Sequence, residues 1–202
     1  MKTFSHRAFM AKTKFKLPVL MLIGILLSIN QVRGVTYTKI TSTSGLPADG
    51  SSAKYLIVYE TLTYVYDGSK TGNNLGASGD YKTSGNNTFT KSGSTITIKG
   101  TDNFYFTISR SGNNYTIQSA SGYYIGRTSN SNGLNQSTTD SYNHTISISS
   151  GNATITSSAG PKLQFLNNSS SYTFKYYSSS QKLVQLYKED ASGYTVVQVD
   201  IG

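Results

Sequence analysis

The sequence predicts an all-β fold, a β-trefoil-like barrel of about twelve short strands, on three observations. Beyond residue 34 the apolar residues recur with a period of two almost everywhere, and no stretch carries a convincing helical period. Clusters of Gly, Asn and Ser such as "DGSKTGNN", "SRSGNN" and "SSGN" separate these runs and supply the positive φ angles of tight hairpins. The chain also echoes itself: "SGNNYTIQSASGYYI" (111–125) aligns with "SGNATITSSAGPKL" (150–163) at a spacing of about 39 residues. Three units of four strands make a trefoil-like barrel. Because the third copy is poor, a two-sheet β-sandwich is the alternative.

In chain order the first six strands are "VTYTKI" (35–40), "KYLIVYE" (54–60), "LTYVYDG" (62–68), "STITIKG" (94–100), "NFYFTIS" (103–109) and "NYTIQS" (114–119). The next six are "YYIGRT" (123–128), "HTISIS" (144–149), "NATITS" (152–157), "KLQFLN" (162–167), "YTFKYY" (172–177) and "KLVQLYK" (182–188). Most are rich in β-branched or aromatic residues, which fit a pleated surface. The tail "GYTVVQV" (193–199) offers one more.

The N-terminus reads as a signal peptide. Lys2, Arg7, Lys12, Lys14 and Lys16 precede the apolar stretch "LPVLMLIGILLSI" (17–29), whose 13 residues fall short of the roughly 20 a spanning helix needs. "VRG" (32–34) suits a cleavage site, so residues 1–34 are assigned to the leader and 35–202 to one all-β domain. The alternative, an uncleaved anchor, is disfavoured by the polar flank after the apolar stretch. The leader holds six basic residues and no acid, so its removal takes the formal charge from +9 to +3. The remaining basic residues are scattered singly, which argues against nucleic acid, whose binding needs several cations on one face. The chain contains no cysteine, so disulfides, thiolate metal sites and cysteine catalysis are excluded. An exported protein held by its core alone fits a bacterial envelope: periplasm, cell surface or medium.

"AKYLIVYE", "YTIQSASGYYIGRTSNSNGLN" and "YTFKYYSSSQKLVQLYKE" resemble a family of secreted Tyr/Ser/Asn-rich β-modules of gut Bacteroidetes, over roughly residues 37–189. These occur alone or as C-terminal pieces of larger surface proteins. The resemblance implies an exported, accessory, non-catalytic module. It carries over no ligand and no site residue.

Groups able to exchange protons are scarce. His144 is the one histidine beyond the leader, and with Asp140 and Ser141 in "TTDSYNHTISI" it sketches a hydrolytic triad, although residues this close in one segment seldom converge. The plain alternative is a strand-start histidine in solvent. "SSAK" (51–54) matches S-x-x-K, but that chemistry wants a helix and a strand follows. Glu60, Asp67 and Asp80 are among the acids a glycosidase would need as a pair, and the spacing selects none. No metal-binding or cofactor motif is present, and no metal or cofactor is expected.

Binding is the better reading. Tyrosine with Ser, Gly and Asn offers flat apolar faces and directed hydrogen bonds, a set that suits glycans. Alternation places Ile125 and Phe174 on the core side and leaves Tyr124 and Tyr177 outside. Arg127, Asn130 and Asn132 follow in a polar loop. These five residues are the expected contacts of a secreted, non-enzymatic module that binds an extracellular polysaccharide or host glycan. The competing readings are a structural or protein-interaction module of the envelope, partnered by an envelope or host protein, and a carboxylate-dependent glycoside hydrolase. Neither nucleic acid nor a membrane span beyond the leader is expected.

Overall fold

The computed structural model describes residues 32–71, 81–83, 89–99, 103–168, 171–191 and 195–197. Its first eight strands are β1 (Val32–Lys39), β2 (Ser52–Tyr59), β3 (Tyr64–Tyr66), β4 (Tyr81–Thr83), β5 (Phe89–Ser92), β6 (Thr95–Lys99), β7 (Phe106–Ser111) and β8 (Asn114–Ser119). The other eight are β9 (Tyr124–Gly126), β10 (Asn135–Ser137), β11 (His144–Ser149), β12 (Asn152–Ser157), β13 (Lys162–Asn168), β14 (Ser171–Tyr177), β15 (Gln185–Glu189) and β16 (Thr195–Val197). A single 3-10 turn at Thr43–Gly45 is the one helical element among the described residues, so the all-β expectation holds. Among these residues no helix is long and apolar enough to cross a membrane.

The strands form one antiparallel sheet in the order β14-β13-β12-β11-β8-β7-β2-β15-β1-β6-β5, and this path is open rather than closed into a barrel. Short strands branch from it: β3 and β4 beside β2, β9 and β10 beside β8, and β16 beside β1. The expected leader lies outside the described residues except for Val32–Gly34. These three open β1, where Gly34 pairs with Lys99 of β6 and Val32 with Val197 of β16.

Period two is written most clearly in β11 and β12, whose residues alternate between buried and exposed or half-buried. Their buried face joins Ile108, Ile117, Ile125, Leu163, Phe165 and Phe174 in the larger of two cores. β2 behaves differently: Tyr55 and Ile57 face that core, while Leu56 and Val58 face a second one with Phe89, Ile96 and Tyr187. A strand buried on both faces must be apolar throughout, and "YLIVY" is.

The sequence echo is a structural repeat at a spacing of 38 residues. Ser119 N–H donates to the Tyr123 carbonyl at 2.8 Å, and Ser157 N–H to the Pro161 carbonyl at 2.9 Å. Gly122 N–H bonds the Ser119 carbonyl and Gly160 N–H the Ser157 carbonyl, each at 2.9 Å. Both glycines have positive φ, 90° and 105°, the region where a Cβ costs most. Ala120 likewise reaches the Tyr105 carbonyl, and Ser158 that of Asn143.

Three strands were not expected from the sequence. β10 is "NQS", polar and half-buried throughout, and carries no period. β4 has only three residues. β5 holds one buried residue, Phe89, in the hairpin it makes with β6. β7 begins at Phe106 rather than residue 103, because the carbonyls of Phe104 and Tyr105 are bonded instead by Gly68 and Ala120.

Candidate functional site

The loop joining β9 and β10 is organised by Arg127. Its Nε donates to the Ser131 carbonyl at 2.8 Å, Nη1 to Asn135 Oδ1 at 3.1 Å, and Nη2 to Ser131 Oγ at 2.5 Å and the Asn132 carbonyl at 3.2 Å. Asn135 Oδ1 also accepts from the Thr128 N–H and hydroxyl. The guanidinium, expected to reach a ligand, is spent on its own loop. A planar fork of donors suits such a clamp.

The same loop is stitched to β14. Gly133 and Tyr176 exchange backbone hydrogen bonds at 2.9 and 3.0 Å, and Asn132 Oδ1 accepts from the Ser178 N–H at 2.9 Å and hydroxyl at 3.1 Å. Asn130 is exposed, and its Oδ1 lies over Gly160 in the β12–β13 turn. Arg127, Asn130, Asn132 and Tyr177 are thus gathered at one corner. Tyr124 stands on β9, half-buried, paired with Ser137 and Gln118. Tyr177 departs from the expectation of exposure, since only 4% of it is accessible. Lys162 is its cross-strand neighbour, and the Lys175 ammonium lies 5.6 Å from its ring centroid, so the outward face of β14 is covered at this end.

His144 also departs from expectation: it is buried, not in solvent. Nε2 lies 2.6 Å from the Tyr176 hydroxyl and Nδ1 3.2 Å from the Tyr115 carbonyl. Burial lowers its pKa to about 4, against the opposing pull of the backbone carbonyls. Both ring nitrogens are engaged, and Asp140 bonds Ser137 instead, so the imagined triad does not assemble. Ser51 of "SSAK" donates to the Ala48 carbonyl ahead of a strand, without the helix that its chemistry requires.

The acids suggested by the sequence are occupied elsewhere. Glu60 accepts from Lys39 Nζ at 2.6 Å and from the Tyr187 hydroxyl, with Lys91 Nζ 3.7 Å away. Burial raises its pKa, but the bonds from Lys39 and Tyr187 and the charges of Lys39 and Lys91 outweigh it, and the net shift is downward. Asp67 Oδ1 accepts the N–H and hydroxyl of Ser69. Asp80 lies outside the described residues. Among the described residues no three His, Cys, Asp or Glu side chains gather into a metal site.

A cavity lies elsewhere, where β2, β7 and the end of β15 meet. It measures about 530 Å³, is open to solvent, and is lined by Ser52, Lys54, Thr107, Glu189 and Asp190 among others. Lys54 pairs in register with Thr107 across β2 and β7. Its ammonium lies 3.8 Å from Glu189 Oε2 and 4.5 Å from the Tyr105 ring centroid, bound loosely to both. Sequence reasoning missed these residues. The signal available was the polar start of β2, where Ser52 and Lys54 alternate before the strand turns wholly apolar.

No protein-family model matches this chain, and no curated protein or solved structure matches it either.

Proposed function

We propose that this chain is an exported, non-catalytic binding module that takes a hydroxyl-rich polymer, an extracellular polysaccharide or host glycan. The observation that carries this reading is the open groove of about 530 Å³ beside β2 and β7. Its size suits a ligand of one or two rings, and its wall alternates donors and acceptors, the pattern sugar hydroxyls require. Ser52 and Thr107 offer hydroxyls, and Lys54 and Glu189 offer a loosely held charge pair. Its two carboxylates come from consecutive residues, Glu189 and Asp190, at one strand end. A glycosidase needs them on opposite sides of the scissile bond, which favours binding over hydrolysis. The likeness to secreted Bacteroidetes modules points the same way. So does exposure: among the described residues Leu62 and Leu183 are the large apolar side chains left exposed, too little for an apolar protein-docking face there.

The trefoil-like reading belongs with this proposal. The hairpins β3–β4, β9–β10 and β13–β14 branch from β2, β8 and β12, a threefold pattern. The run β15-β2-β7-β8-β11-β12 returns toward its start through a single bridge between Ala153 and Val184. Twelve strands take part in that arrangement, and β1, β5, β6 and β16 lie outside it.

A glycan array probed with the expressed chain tests the function, with Lys54→Ala and Thr107→Val as variants checked for folding. Binding that both folded variants lose is the expected result. Silence across the array overturns the reading. Release of reducing sugar from the bound glycan, abolished by Glu189→Gln, would replace binding with hydrolysis.

A further inference from the structure

We propose that the outer face of the β13–β14 hairpin is a second site, one that seats the anionic group of an acidic polysaccharide, a sulfate ester or a uronate carboxylate. The oxyanion site stands on its own geometry. That the anion is borne by a glycan rests on the proposed function.

The ladder pairs Lys162 with Tyr177 and Gln164 with Lys175. Side chains on paired strands alternate in step, so these four share one face, while Leu163, Phe165, Phe174 and Tyr176 fill the core on the other. Beside them lies a cavity of about 60 Å³ lined by Lys162, Gln164, Tyr177 and the serine run 178–180. The space is small beside the groove at β2 and β7 and suits a compact group such as a sulfate or a carboxylate. The rim is built. Gln164 is buried and bonds Gln181 in both directions, and Asn132 holds Ser178, so the serine segment is fixed at both ends.

Charge selects the ligand. Lys39 and Lys91 stand against Glu60, and Lys54 against Glu189. Lys162 and Lys175 form no ion pair among the described residues, and no carboxylate lines the cavity. Lys162 lines the cavity with hydroxyl and amide groups, and Lys175 stands over the ring of Tyr177, which also lines it; with no acid to neutralise them, the two favour an anion with several acceptor oxygens. The aromatic ring under Lys175 orients that ammonium without cancelling its charge.

The test is titration of the full chain with dextran sulfate, polygalacturonate and neutral dextran, followed by calorimetry at two salt concentrations. Lys162→Gln, Lys175→Gln and the double variant are compared with Lys99→Gln, a charge-matched change on β6 at the other end of the strand order. The expected result is salt-sensitive binding to at least one acidic polymer, weakened about tenfold in the double variant as charge-assisted contacts are lost. Lys99→Gln leaves it unchanged. Preference between sulfate and carboxylate identifies the anion. Equal binding to neutral dextran, or acidic-polymer binding that the double variant keeps, overturns the site, as does failure of every acidic polymer to bind. Silence on a neutral glycan array with acidic polymers still bound through Lys162 and Lys175 would overturn the groove and leave this site standing.

Discussion

His144 and Tyr176 meet in the buried core, the imidazole Nε2 2.6 Å from the phenol oxygen. The Tyr115 carbonyl can only accept, so the ring proton sits on Nδ1 and Nε2 accepts from the Tyr176 hydroxyl. The pair is satisfied only while the imidazole is neutral. The unfolded chain takes up a proton near pH 6.5 and the folded one near pH 4, so stability is full above about pH 6.5 and falls as pH drops toward 4. The loss amounts to about 3 kcal/mol. Urea unfolding at pH 7 and pH 4.5 measures it, and an unchanged midpoint would refute the assignment.

Phe106 stands 38 residues before His144, fully buried at the equivalent position of the repeat. A phenyl ring therefore fits this kind of site, but His144→Phe alone leaves the Tyr176 hydroxyl buried without its acceptor, costing about 1–3 kcal/mol. The double variant His144→Phe/Tyr176→Phe removes both polar groups and is expected to regain most of that loss. It also abolishes the stability change between pH 6.5 and pH 4.5. Denaturant midpoints of the three proteins decide it.

Arg127 is a clamp, and both Arg127→Ala and Arg127→Lys are expected to loosen its loop. A lysine carries the charge but cannot reach Ser131, Asn132 and Asn135 together, so each variant loses about 1–2 kcal/mol. Amide exchange over residues 128–134 rises in both, while glycan binding in the groove is unchanged. Loss of binding with normal exchange would return Arg127 to the role its sequence context suggests.

How much was legible in the sequence depended on whether neighbours or distant strands decide a residue's surroundings. β8, β11 and β12 match their expected bounds because alternation and Gly-containing turns are local signals. The repeat was legible too, since Ser119 and Gly122 recur as Ser157 and Gly160 in the same turn geometry. Burial of Tyr177 and His144 was not. Alternation gives a residue's face, and only tertiary packing says whether that face meets solvent. Arg127 was identified as a residue with a purpose, but its partners lie four to eight places along the same loop, and a polar loop reads alike whether it binds itself or a ligand. Ser52 and Lys54 joined Glu189 through strand order alone, across more than 130 residues of chain.

Glu60 gives a second acid response, below that of His144. Its net depressed pKa means that its contribution is present above about pH 4.5 and is lost as pH falls through the lower folded value. The carboxylate is a quarter exposed, so solvent screens its pairs with Lys39 and Lys91 and the contribution is about 1 kcal/mol or less. The His144→Phe/Tyr176→Phe background isolates this window, and Glu60→Gln in that background is expected to flatten it between pH 5 and 3.

Gly68 is fixed by a close approach of two backbones. Its N–H donates to the Phe104 carbonyl and its own carbonyl accepts from Ser121, which packs the β3 turn against the segments on either side of β7 and β8. A Cβ here would lie 2.7 Å from the Phe104 carbonyl oxygen and closer still to that of Tyr105. Backbone oxygens cannot swing aside as a side chain would, so Gly68→Ala must push the turn away and break those bonds. The expected cost is about 2–3 kcal/mol, from overpacking plus a strained hydrogen bond. Gly50→Ala is no match for size alone, because its Cβ meets nothing and its penalty comes from φ of +71°. Thermal unfolding of the two variants separates the causes: Gly68→Ala should also raise amide exchange at Ser121, whereas Gly50→Ala should not.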